Sequence, residues 1–184
     1  MNSFTYDNPC KNDNNMNASV RLYSLPFRSV KTYVFAFLFI VGNIALPQLF
    51  HLVPAGGPTW LPIYFFTLIA SYKFGLRVGL LTALLSPLFN HWLFGMPALA
   101  VLPAILVKSG LLAGAAAWVA HRTQRVSLAA LLVAILAYQV IGTACECIIC
   151  GDFMLAAQDF RMGIPGMLLQ LFGGYAVLKA LNRL

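Results

Sequence analysis

Charge is scarce in this sequence. Asp, Glu, Lys and Arg make up 9% of its 184 residues, against about 25% in a soluble domain. Only five residues are acidic, and none pairs with another in a pattern suited to general acid and base work. A phosphate-cradling Gly-x-x-x-x-Gly-Lys loop is missing, as are His-Glu-x-x-His and Gly-x-Ser-x-Gly. ATP hydrolysis by a phosphate loop and those hydrolytic chemistries are thereby excluded, and neither an enzymatic activity nor a resident cofactor is expected. Basic residues occur in ones and twos rather than runs, and no nucleic-acid motif accompanies them. Cysteine, at four residues, is too sparse for a disulfide scaffold at this length. Residues 1–30 lack the apolar core of a cleavable signal. Their Asn-rich stretch from Asn2 to Asn17 reads as a flexible cytoplasmic tail.

What the sequence has is apolar surface. Hydrophobic residues make up 60% of it, and its mean hydropathy is +0.80. That is more than one water-soluble core can hide, so the bilayer is the expected solvent. Apolar blocks alternate with polar or Pro/Gly punctuation. Read as spans of about 17–25 residues, they number six: Thr32–Leu52, Thr59–Tyr72, Gly75–Phe94, Ala98–Ala120, Ser127–Cys150 and Pro165–Leu181. The expected fold is an all-α bundle of six transmembrane helices over residues 31–184, lying in the cytoplasmic membrane.

Lys and Arg concentrate on the cytoplasmic side of membrane proteins. With the N-terminus inside, Lys11, Arg21, Arg28 and Lys31, then Lys73 and Arg77, then Arg122 and Arg125, then Lys179 and Arg183 all fall inside. The outer side receives only Arg161, with Asp152 and Asp159. One span more or fewer scrambles this sorting, so both termini are expected in the cytoplasm.

Ionisable groups at membrane depth are costly and mark sites. Lys108 lies about ten residues into the fourth block, near mid-bilayer on this reading, and Glu146 in the outer part of the fifth. They read either as a structural pair between adjacent helices or as groups facing a ligand cavity. Gln139, Thr143, Glu146 and Cys150 are spaced four, three and four apart, which places them on one helix face. Thr82, Ser86 and Asn90, spaced four apart, form a second stripe on the helix that Pro87 interrupts. Asn43, Gln48 and His51 climb to the outer end of the first block, and Gln170 sits inside the sixth. Polar groups thus gather in the outer half, as an outward-opening pocket requires.

Asn90 and His91 would act at the mouth of that pocket. Trp60 and Trp92 would either anchor the interface or stack on a ligand ring. The loop from His51 to Pro58 would serve as a lid, since its Pro and Gly residues support turns and hinging. The run Cys145, Cys147 and Cys150 leaves open a membrane metal or redox protein. A ligand-free structural subunit is a further alternative. Small residues such as Gly75, Gly79, Gly110 and Gly114 permit close helix packing.

The stretch from Gly75 to Gly114 reads GLRVGLLTALLSPLFNHWLFGMPALAVLPAILVKSGLLAG. It resembles the substrate-binding S components of energy-coupling factor (ECF) vitamin transporters. The resembling features are the Gly-rich start, Leu-Ser-Pro-Leu-x-Asn, Phe-Gly-Met-Pro, and Leu-Pro before a small-residue helix. The resemblance implies a six-helix bundle that captures a vitamin or cofactor precursor from outside, in its outer half. It also implies partners: a transmembrane coupling subunit and a pair of cytoplasmic ATPases. Two departures stand out. The first block, with Ala36, Gly42 and Ala45, lacks a clean Ala-x-x-x-Ala, and Lys108 stands where an acidic residue is expected.

Overall fold

The computed structural model describes residues 25–50, 59–151 and 153–182. Among these every regular element is helical. In chain order they are α1 (Val30–Phe50), a three-residue 3₁₀ turn (Pro62–Tyr64), α2 (Phe65–Phe74), α3 (Leu76–Phe94), α4 (Leu102–Thr123) and α5 (Leu128–Cys150). The short helices α6 (Phe153–Ala156) and α7 (Gln158–Met162) follow. Last comes α8 (Ile164–Leu181), which contains a π-helical turn at Leu169–Gly173.

Four of these helices, α1, α4, α5 and α8, are long and apolar enough to cross a membrane. Their apolar side chains remain outward: Phe37, Leu38, Trp118, Val133, Val140 and Phe172 are all exposed. A protein with this outer surface belongs in lipid.

The second block differs most from the sequence reading. Its helix is only ten residues long, or about 15 Å, and starts late because Pro62 sets a 3₁₀ turn ahead of it. It packs against α1, α3, α4 and α8, and nine of its residues, including Thr67, Ser71 and Lys73, are buried. A helix buried on nearly every side sits at the centre of a bundle. Gly75, at φ +90°, turns the chain from α2 into α3. Gly79 then lets the two helices touch, because a Cβ there would lie 2.8 Å from the Ser71 Cα.

Other boundaries follow local chemistry. The α5 helix begins where the Ser127 Oγ accepts from the Ala130 N–H at 3.1 Å, a side-chain N-cap. The α4 helix begins at Leu102, with Pro103 in its first turn, rather than at Ala98. Lys108 is therefore six residues from the helix start, about 9 Å, and about one turn short of the middle of the helix.

The basic loops gather at one end of the bundle. Tyr72, beside Lys73, donates to the Arg125 carbonyl. The Lys73 Nζ donates to Asn182 Oδ1 at 2.9 Å. These contacts bring the α2–α3 turn, the end of α4 and the end of α8 together.

Candidate binding site

The two polar stripes take different places. The α3 stripe belongs to helix packing. Asn43 of α1 donates through Nδ2 to Thr67 Oγ1 (2.9 Å) and Ser86 Oγ (3.3 Å). Its Oδ1 accepts the Phe66 N–H at 3.1 Å, one of the first-turn donors of α2 that the helix itself leaves unbonded. Thr82 and Ser86 each donate back to a carbonyl one turn earlier. Gln48 Nε2 donates to Asn90 Oδ1 at 3.1 Å. Thr82, Ser86 and Asn90 are thus engaged with α1 and their own helix, and all are buried.

The α5 stripe meets α4 in a second polar cluster. Lys108, 1% exposed, donates to the carboxylate of Glu146, whose side chain is 11% exposed. Gly142 makes the crossing possible: a Cβ there would lie 2.6 Å from Lys108 Cγ. The lysine stem runs over that gap, and its ammonium reaches one turn along α5. A charge in a low-dielectric interior needs such a partner. The pair is neutral overall.

The same two helices and α8 carry buried hydroxyls and amides that are left unbonded. Gln139, 1% exposed, has neither amide atom in a hydrogen bond among the described residues. The same holds for Ser109 Oγ, Thr143 Oγ1 and Gln170 Nε2. Each such group costs about 1–3 kcal/mol when buried without a partner, and native interiors rarely keep several together. Lys108 and Ser109 are consecutive on α4, while Gln139, Thr143 and Glu146 share one face of α5. Together they make donors and acceptors of both kinds beside a neutral ion pair.

Gln170, a polar group of the expected pocket, meets Tyr138 and, through it, Tyr64, two residues with no role in the sequence reading of the site. Tyr138 donates to Gln170 Oε1 at 3.2 Å, and its ring lies 5.5 Å from that of Tyr64. Gln170 sits in the π-helical turn, a local widening frequent at functional sites. A polar residue within an apolar block was the only signal for Gln170; nothing in the sequence marked Tyr138.

A cleft of about 510 Å³ reaches this face from the side. Val140, Thr143 and Cys147 of α5 form one wall, and Ala157, Phe160 and Arg161 the other. Thr143 belongs both to the cleft and to the polar face.

The remaining site candidates lie elsewhere. His91 bonds through Nδ1 to the Pro97 carbonyl at 2.7 Å, pinning the loop after α3. Trp60 stacks on Phe50 with ring centroids 5.4 Å apart, and its carbonyl packs where a Gly166 Cβ would stand. Trp92 is 77% exposed on the outer face of α3. The structure therefore pairs Lys108 with Glu146, keeps Gln139 and Thr143 on the same α5 face as Glu146, and gives Asn90, His91 and Trp60 other partners. The proposed lid from His51 to Pro58 lies outside the described residues. Cys145 and Cys147 are free thiols, and among the described residues no three His, Cys, Asp or Glu side chains gather to hold a metal.

Compared with known proteins, the chain has no significant match to a family model, a curated protein or a solved structure.

Proposed function

We propose that this protein is the substrate-binding subunit of a membrane importer for a vitamin or cofactor precursor. On this reading six spans place both termini in the cytoplasm. A transmembrane coupling subunit and a pair of cytoplasmic ATPases supply the energy. The observation that carries the proposal is the buried Lys108–Glu146 pair set among the unbonded Gln139 amide and Ser109 hydroxyl. An ion pair alone fits a structural role. Uncommitted donors and acceptors beside it fit a ligand with several heteroatoms, because binding would satisfy groups that folding leaves unsatisfied. The lateral cleft at Thr143 gives such a ligand a way in. The sequence resemblance over Gly75–Gly114 and the gathering of basic loops at one end agree with this reading.

In the proposed mechanism Lys108 holds an anionic or carbonyl group of the ligand, and Glu146 keeps the ammonium in place. Gln139 and Thr143 fix orientation by hydrogen bonds. Opening and release would be driven by the partners, since the chain has no ATP-hydrolysing motif of its own.

One observation favours a ligand-free structural subunit instead: the α3 stripe is bonded to α1, through Ser86 and Asn90, and to its own helix. The two readings separate in mass spectrometry of small molecules released from protein purified in mild detergent. The importer reading predicts one heteroatom-rich compound at near-stoichiometric amount. Purified protein with no such compound, or with bound metal in its place, overturns it.

A further inference from the structure

The bundle also carries an open groove on its lipid-facing side, lined by none of the residues of the Thr143 cleft. It has a volume of about 760 Å³ and runs along α4, walled by Leu84 of α3 and Ile141 of α5. Gly110 and Gly114 form its floor, and a Cβ on either would meet nothing within 4 Å. These glycines therefore do not serve contacts within the chain, in contrast to Gly79.

The length and the ends of the groove identify an occupant. Its α4 residues extend from Leu106 to Trp118, a rise of about 18 Å. Half the hydrocarbon thickness of a bilayer is about 15 Å, so the groove matches one leaflet. Helical spacing carries its face past Trp118 to His121 and Arg122, both exposed in the last turn. Arg125 follows in the exposed turn after the helix. No acidic residue lies anywhere on α4. An apolar trough one leaflet long, ending in cationic side chains, complements an acyl chain that bears a negative headgroup.

We infer that this groove is a specific site for an anionic phospholipid, with one acyl chain along Gly110 and Gly114 and the phosphate at Arg122. An α-helix from a partner is the competing occupant, because Gly-x-x-x-Gly faces join helices. The cationic end favours the lipid, since a helix would have to bring its own acid to that position.

The test uses the purified full chain in mild detergent, titrated with dioleoyl phosphatidylglycerol or dioleoyl phosphatidylcholine and read by native mass spectrometry. Phosphatidylglycerol is expected to bind at least about fivefold more tightly, as about one basic contact confers near a membrane surface. Arg122→Gln should remove that preference, and Gly114→Leu, which fills the trough without touching the charge, should lower occupancy by both lipids. Equal binding of the two lipids by the unaltered protein overturns the inference. So does a phosphatidylglycerol preference that survives Arg122→Gln, or lipid occupancy unchanged by Gly114→Leu. A dimer that Gly114→Leu dissociates would assign the groove to a second copy of the chain and equally overturn it.

Discussion

Lys108 carries the most informative chemistry in the chain, because its charge is costly in its surroundings. Glu146 neutralises it, and Gly142 gives its stem a path. Removing one partner strands the other. Lys108→Met is expected to destabilise the protein by about 3–5 kcal/mol, the cost of an uncompensated buried charge. Replacing both, as Lys108→Met with Glu146→Leu, should leave stability unchanged or raise it. Thermal unfolding in detergent compares the two variants. A single variant as stable as the double would show that the pair is not desolvated. Gly142→Leu should act like the single variant by forcing Lys108 off its path. Both ionisable residues and the Gln139–Thr143–Glu146 face were legible in the sequence, since charge in an apolar block and four-residue spacing are direct signals. The bond between Tyr138 and Gln170 was not. It depends on a π-helical turn that no local pattern of residues announces.

At the scale of elements, α2 shows where periodicity stops informing. Nine of its ten residues are buried, Thr67, Ser71 and Lys73 among them, so its polar residues mark no solvent face from which to read a phase. Its position is set instead by neighbours, and Asn43 is the chief link. That one side chain bonds α1 to Thr67 and the Phe66 N–H of α2 and to Ser86 of α3. Asn43→Leu should cost about 2–3 kcal/mol, mostly from leaving the Phe66 N–H without a partner. A chemical or thermal melt in detergent reads the loss, and an unchanged midpoint would remove Asn43 from the packing account. The α3 stripe was visible from its spacing, but its destination was not. Spacing tells which residues share a face; it does not tell which helix will cover that face. Thus Asn90, expected at a ligand mouth, is bonded to Gln48. By contrast, α5 was legible almost to the residue, because Ser127 caps it and no proline breaks it before Gly151.

The whole molecule is an apolar-surfaced bundle in which a fully bonded polar cluster binds α1, α2 and α3 together, while an incompletely bonded one lies between α4 and α5. Its basic loops collect at one end. The proposed orientation puts that end in the cytoplasm. In a cysteine-free background, Met96→Cys should react with an impermeant maleimide in intact cells, and Gln124→Cys only after the membrane is opened. Reversed labelling would invert the proposed topology. The central claim is that the cluster around Lys108 and Glu146 exists to hold a ligand, and native mass spectrometry of the intact protein tests it most directly. The unaltered chain should carry a small-molecule mass. The Lys108→Met, Glu146→Leu double variant should be as stable as the unaltered chain and lack that mass. A variant that keeps the mass, or an unaltered chain without one, would contradict the account.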